Sequence, residues 1–263
     1  MPDTDTVQDE MLALNTAAHV GVLVPSANPV VEPELYRLLP RTLKLFATRF
    51  PAMPDTDLEQ RNRRYVELYP EALRSFGRLQ LDAAVIGLTG PSYRLLPAGD
   101  QALTETLSTG GIPVQTASGA IRLALQTIGA RRVCLVSPYP AWLTDAAAAY
   151  WTAAGNEIVQ IIKISETFRA YELTTDEVAG ALDAVQHGMV DAIIMSGTGM
   201  LTLPAILGRG RATTVPLLSS NLCCAWWLMR QLRTPVPPLF RAASAALAAT
   251  LGAKHLLNAP EPR

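Results

Sequence analysis

The chain has little of what usually marks a function outright. Its 263 residues include three histidines and three cysteines, Cys134, Cys223 and Cys224. Three is odd, adjacent cysteines rarely bridge each other, and there is neither a C-x-x-C pair nor a His-rich cluster. A disulfide framework and a structural zinc are excluded on that ground, no metal or cofactor is expected, and a reducing cytoplasm fits. Neither sign of charge is in surplus: 22 Lys+Arg stand against 23 Asp+Glu, a net charge of −1. Such a surface carries no electrostatic footprint for nucleic acid or anionic lipid. No run of ~18 apolar residues is free of charge, so no membrane span is expected. Residues 1–17 contain Asp3, Asp5, Asp9 and Glu10 but no Lys or Arg. They read as a flexible acidic tail rather than a secretory signal. What is abundant is apolar: 49% hydrophobic against 17% charged residues, which excludes disorder and requires a sizeable core.

Short β-branched runs alternate with longer helical stretches, the signature of βαβ units and a parallel sheet. The runs are Val20–Val24, Lys44–Phe50, Ala83–Leu88, Pro113–Thr116, Val133–Val136, Glu157–Ile162, Ala192–Met195 and Pro216–Leu218. Helical patterns lie between them at 57–79, 98–109, 118–128, 141–154, 174–187 and 221–232. Near-continuous apolar strands imply that helices cover both sheet faces.

The sequence also repeats itself. Asp82-Ala-Ala-Val-Ile-Gly-Leu-Thr89-Gly90 is matched 109 residues later by Asp191-Ala-Ile-Ile-Met-Ser-Gly-Thr198-Gly199. Val22-Leu23-Val24-Pro25 is matched 112 residues on by Cys134-Leu135-Val136-Ser137, and Gly111-Ile-Pro113 at an offset of 103 by Thr214-Val-Pro216. Three matches in one order predict an α/β chain of two pseudo-twofold-related lobes, each a four-stranded parallel sheet flanked by helices. The first lobe is expected to comprise residues 18–117 and 220–263, the second 118–219. Ligands of parallel sheets sit beyond the carboxyl ends of the strands, so facing lobes would share one cleft.

Five loops would line that cleft: Pro25-Ser26-Ala27-Asn28-Pro29, Thr89-Gly90-Pro91-Ser92-Tyr93, Ser137-Pro138-Tyr139-Pro140, Ser196-Gly197-Thr198-Gly199-Met200 and Ser219-Ser220-Asn221. None carries an acid, a base or a histidine. Their chemistry is hydrogen-bond donation to an anion, by hydroxyls and by N–H groups of turns leading into helices. Ser, Thr, Asn and Gly at such junctions are also ordinary caps and turns. The loops form neither a dinucleotide fingerprint nor a Walker A loop. His19, His187 and His255 lie at the wrong ends of their elements. Cys134 reads as strand packing, and Cys223 and Cys224 as packing beneath Trp226 and Trp227, although a helix N-terminus lowers a thiol pKa. Arg49, Arg94 and Arg169 are possible partners for a carboxylate.

These motifs together resemble the aspartate/glutamate racemase superfamily, in its arylmalonate decarboxylase and maleate cis–trans isomerase branch. Gly21-Val-Leu-Val-Pro-Ser-Ala-Asn28 is similar to the family's opening strand and substrate-binding turn. Ser137-Pro-Tyr139 is similar to the loop whose tyrosine binds a substrate carboxylate, and Gly199-Met-Leu-Thr-Leu-Pro204 to the segment after the second catalytic position. The resemblance implies a cysteine from each lobe in racemases and maleate isomerases, and one from the second lobe in the decarboxylases. The corresponding positions fall within Leu88–Gly90, on Gly90, and on Gly197 or Thr198, and no cysteine stands there. The expected activity is therefore a cysteine-independent lyase or isomerase on a small carboxylic acid, stabilising an enediolate or oxyanion. Tyr93, Tyr139 and Thr198 are the expected catalytic residues. Pro25, Ser26, Asn28, Thr89, Gly90, Pro91, Ser92, Gly197, Gly199 and Asn221 are expected to bind substrate, Tyr139 and Ser92 sharing one carboxylate. Gly197 and Gly90 are expected to leave room for a cysteine each. A hydrolase using the same pocket, or a non-catalytic carboxylate-binding protein, is the alternative. The neutral surface and Ala/Leu-rich tail suggest a homodimer or higher homo-oligomer.

Overall fold

A computed structural model describes residues 17–209 and 215–252. The expected acidic tail up to residue 16, Thr214 and His255 lie outside the described residues. Eight strands form two four-stranded, all-parallel sheets. In the first sheet the order is β2-β1-β3-β4, from β1 (Ala18–Val24), β2 (Leu43–Arg49), β3 (Ala83–Ile86) and β4 (Val114–Thr116). In the second it is β6-β5-β7-β8, from β5 (Arg132–Ser137), β6 (Glu157–Lys163), β7 (Ala192–Met195) and β8 (Leu217–Ser219). The two orders are the same order, 113 residues or so apart, which is the predicted duplication.

Pairing registers fix which residues correspond. Val20 lies opposite Ala83 and Val133 opposite Ala192, so the central strands match at an offset of 113. The sequence match of 112 was one residue short there. Offsets of 109 for β3/β7 and 103 for β4/β8 follow from Ala84 opposite Val114 and Ile193 opposite Leu217. The polar pins repeat as well. The Asp82 carboxylate accepts from His19 N at 2.7 Å, and Asp191 accepts from Arg131 N and Arg132 N at 3.0 and 2.8 Å. Because β1, β3, β5 and β7 are central and apolar, they are buried almost throughout. That is what a sheet covered on both faces requires.

Ten α-helices surround the sheets among the described residues: α1 (Val31–Leu38), α2 (Leu58–Arg74), α3 (Gly90–Leu107), α4 (Ala117–Ile128), α5 (Ala141–Ala153), α6 (Thr175–Asp183), α7 (Thr202–Arg209), α8 (Ser220–Leu232), α9 (Pro238–Ala243) and α10 (Ala245–Gly252). No helix was expected at α1 or α7. Both are eight residues long and carry a proline in the first turn, a position that needs no N–H donor. Helix α3 starts eight residues earlier than expected, at Gly90, and breaks at Leu96 (φ 58°, ψ 170°). Leu96 precedes Pro97, whose ring disfavours helical geometry in the residue before it. Helices α4 and α8 are pseudo-twofold mates and pack against each other. Thr116 caps the first, accepting from Gly119 N at 2.9 Å, and Ser219 caps the second, accepting from Leu222 N at 3.2 Å. Helix α8 also packs on α1 and β3, crossing back to the first sheet.

Candidate active site

Between the lobes lies a cleft of about 60 Å³. The turns after all four central strands reach it: Pro25–Ala27 after β1, Leu88–Gly90 after β3, Tyr139 after β5, and Thr198 with Gly199 after β7. Helix α2 supplies Leu58, Arg61, Asn62 and Tyr65, and the segment between β6 and α6 supplies Phe168, Ala170 and Tyr171. Among the described residues, the lining contains no cysteine, histidine, aspartate or glutamate.

Hydroxyl contacts across the lobes organise its floor. Tyr139 Oη and Thr89 Oγ1 are 2.7 Å apart, one hydroxyl from each lobe. Burial pushes the Tyr139 hydroxyl far above its ordinary value of 10.0, so it stays protonated as a hydrogen-bond donor. The Phe168 ring stacks on the Tyr139 ring at 6.0 Å and 11°. The Thr198 hydroxyl donates to Gly87 O at 2.8 Å and accepts from Asn28 Nδ2 at 3.3 Å. Its proton is therefore committed across the lobe interface, and Thr198 meets the cleft as a wall. Asn28 Oδ1 accepts from Val30 N and Val31 N at 2.9 and 3.1 Å, so Asn28 ties the start of α1 to Thr198.

The sequence-predicted residues thus divide. Pro25, Ser26, Thr89, Gly90, Tyr139, Thr198 and Gly199 line the cleft. Asn28, Pro91, Ser92, Tyr93, Gly197 and Asn221 are not on its lining. Tyr93 Oη is 2.6 Å from Ser196 Oγ, fully buried among Tyr139, Tyr150 and Trp151. Burial pushes its hydroxyl up to about 12. Ser92 hydrogen-bonds to Asp100, a buried carboxylate that also accepts from Thr116 Oγ1 and Tyr150 Oη at 2.8 Å each. Tyr139 and Ser92 consequently face different places rather than one carboxylate. Asn221 Nδ2 donates to Glu34 Oε2 at 2.8 Å and to Thr198 O at 3.2 Å. Glu34, from α1, further accepts from Thr202 Oγ1 and from Leu203 N at 2.6 Å, at the start of α7. Desolvation holds its carboxyl above the ordinary range despite these donors.

Room for a thiol is also less than expected. Register equates Gly197 with Leu88, Thr198 with Thr89 and Gly199 with Gly90. Gly90 is therefore not the mate of Gly197. Gly197 has φ +87°, and a Cβ there would stand 3.0 Å from Pro138 Cγ and 3.1 Å from Tyr139 Oη. A side chain at 197 is strained both by backbone geometry and by contact. A Cβ on Gly90 would stand 2.8 Å from Asn62 Nδ2. The three cysteines are buried away from the cleft. Burial pushes Cys134 and Cys224 up to about 12 and Cys223 well up too, overriding the α8 N-terminus.

Arg61, Asn62, Tyr65 and the Phe168–Tyr171 segment were missed. Asn62 left one trace: it occupies the buried face of α2 with Tyr65, Tyr69 and Ala72, a polar residue in an apolar stripe. The three arginines singled out beforehand are engaged elsewhere. Arg94 pairs with Glu59 at 2.8 Å, Arg169 with Glu177, and Arg49 with Glu32 and the carbonyls of Pro25, Ser26 and Asn28.

A duplicated parallel α/β chain whose strand-end turns close on one small cleft has the architecture of a protein with a small-molecule site between its lobes. Its residues 20–239 match the profile of the arylmalonate decarboxylase family, and the chain belongs to that family. It is 28% identical to a maleate isomerase of Nocardia farcinica over 233 residues, covering 82% of this chain and 91% of the relative. It is 26% identical to a maleate isomerase of Geobacillus stearothermophilus over 240 residues, covering 83% and 94%. Among solved structures, the fold is shared with the Nocardia farcinica maleate cis–trans isomerase mutant carrying a covalently bound succinylcysteine intermediate (TM-score 0.76, 21% identity, 89% of this chain and 99% of that one). It is shared also with an arylmalonate decarboxylase (TM-score 0.69, 24% identity, 84% and 98%).

Proposed function

We propose that this chain is a cysteine-independent lyase or isomerase acting on a small carboxylic acid, with decarboxylation the reaction its cleft suits best. The observation that carries this is the cross-lobe pair of Tyr139 and Thr89, 2.7 Å apart in a cleft without thiol, imidazole or carboxylate. A reaction through a covalent adduct needs a nucleophile at the substrate. Decarboxylation needs instead a place for the electron pair. The bond to the departing carboxyl group breaks, carbon dioxide leaves, and the pair enters an enediolate held on the remaining carboxylate. The Tyr139–Thr89 pair holds one of its two hydroxyl protons between its oxygens and donates the other to that oxygen, beside the Gly90 N–H at the start of α3, and water returns a proton to carbon. Donors aimed at developing charge in a dry site are usually the largest single catalytic contribution. Helix α3 starts at Gly90, whose N–H has no partner within the helix, and Pro91 after it has no N–H to satisfy.

The test is turnover after removal of the thiols. Phenylmalonate and maleate are incubated with native protein and with folded Cys134→Ala, Cys223→Ala and Cys224→Ala variants, and products are followed by proton NMR. The expected result is carbon dioxide loss from phenylmalonate at equal rates in all samples. Activity abolished in a folded cysteine variant would contradict cysteine independence, and binding without turnover of either acid would contradict the enzymatic reading.

A further inference from the structure

We propose that Tyr93 and Ser196 are positioning residues that hold the Tyr139–Thr89 pair at bonding distance, through a second hydroxyl bridge between the lobes. The proposal rests on the reading of that pair as the donor to substrate.

The bridge lies behind the pair, away from the cleft. Tyr93 Oη and Ser196 Oγ are 2.6 Å apart, both residues are buried, and neither lines the cleft. Tyr93, in the first turn of α3, donates its N–H to Thr89 O at 3.3 Å. Its ring meets the Tyr139 ring edge-on, with centroids 6.4 Å apart. Its hydroxyl also meets that of Thr89, which therefore sits between two tyrosines, Tyr139 on the cleft side and Tyr93 behind. Thr89 is β-branched and has few rotamers open to it, so fixing both neighbours fixes its oxygen.

The duplication shows the same device twice. Register makes Tyr93 the mate of Thr202, as Thr89 is the mate of Thr198. In each lobe a threonine and the residue four positions on both reach across to the other lobe. Thr198 donates to Gly87 O and Thr202 to Glu34. Thr89 meets Tyr139, and Tyr93 meets Ser196. In the second lobe both contacts are joints; in the first, one faces the cleft and the other steadies it.

Energetics separate positioning from packing. A hydroxyl pair buried among Tyr139, Tyr150 and Trp151 adds little net stability over an apolar pair of the same shape. What it adds is a fixed distance and direction, which an apolar contact does not impose.

Tyr93→Phe, Ser196→Ala and the double variant test this, by phenylmalonate turnover and melting midpoint. Each single change strands one hydroxyl and should lower the midpoint, whereas the double change removes both and should recover most of it. In all three, kcat should fall roughly three- to tenfold and KM change less than about twofold, because the donors matter most where charge develops. A kcat that recovers with the midpoint in the double variant, or that stays within about twofold in all three, would overturn the positioning role. A second readout needs no turnover. Protein labelled with 3-fluorotyrosine gives a fluorine NMR signal for Tyr139, assigned by its loss in Tyr139→Phe. Ser196→Ala should shift or broaden that signal in the unliganded protein, and an unmoved signal would overturn the bridge. An unmodified chain that turns over neither phenylmalonate nor maleate, with the signal moved as expected, would overturn the donor assignment and leave the bridge standing.

Discussion

The two lobes share strand order and register yet divide the work of the cleft unequally. Ser26 in the first lobe and Tyr139 in the second are register mates. One is a short hydroxyl at the edge, the other a buried donor bonded across the interface to Thr89. The turns after β3 and β7 differ in the same way. Thr89 and Gly90 open directly into α3, whereas Thr198 and Gly199 precede a helix whose N-terminal donors are taken by Glu34 of the first lobe. Arg49 and Lys163 are also mates, at the ends of β2 and β6. Arg49 holds the carbonyls of the Pro25–Asn28 turn, while Lys163 pairs with Glu166 at 2.5 Å. Duplication supplied two copies of one framework, and side chains left the first lobe's helix end on the cleft and made the second lobe's a structural joint.

Removing that joint should have the largest effect. Glu34→Ala strands Leu203 N and the Thr202 hydroxyl and leaves Asn221 Nδ2 with Thr198 O, at about 1–3 kcal/mol for each orphaned donor. For a chain of this size each kcal/mol lowers the melting midpoint by about 2–4 °C. An unchanged midpoint in calorimetry would break the claim that Glu34 ties the lobes. The pH dependence sharpens it. A carboxyl whose folded pKa is raised binds its proton more tightly when folded. Its contribution is therefore most favourable below the unfolded value, near the ordinary 4.5, and is lost as pH rises through the folded one. Glu34→Gln should flatten the decline of stability above pH 4.5, and parallel curves would contradict this.

The glycine pair comes next. Gly197→Ala should cost about 1–2 kcal/mol, because φ +87° is unfavourable for a side chain. Gly90→Ala should cost less than about 1 kcal/mol, because only the movable Asn62 amide must shift. Equal denaturant midpoints would remove the distinction. The smallest contrast is between Arg49→Met, expected to cost about 1 kcal/mol through its turn carbonyls, and Lys163→Met, whose exposed pair is worth roughly 0–0.5 kcal/mol. A larger loss from Lys163→Met would reverse that assignment.

The eight strands and the repeat were legible because apolar runs and their flanking aspartates are local signals that the second lobe states again. The α1 and α7 helices were not, being short, proline-bearing and held by tertiary contacts such as Glu34 to Leu203. At the site, the turns could be placed by counting from strand ends, but side-chain direction could not. Ser92 and Tyr139 both follow strand ends, and only packing sends one to Asp100 and the other to Thr89. Thr198 looked like a free hydroxyl until Gly87 O proved to hold its proton. Asn62 falls on the apolar stripe of α2 with Tyr65, Tyr69 and Ala72, but nothing in the spacing separates Arg61, which faces the cleft, from Arg63 and Arg64, which face solvent.

The central claim is that the second lobe's tyrosine, rather than its first-lobe mate, holds the developing negative charge. The direct measurement is kcat/KM for phenylmalonate decarboxylation by Tyr139→Phe and by Ser26→Ala, relative to the unmodified chain. Loss of one oxyanion donor typically lowers kcat by about 10²–10³. Tyr139→Phe should fall within that range and Ser26→Ala within about threefold of the unmodified chain. Equal kcat/KM for all three proteins would contradict the account.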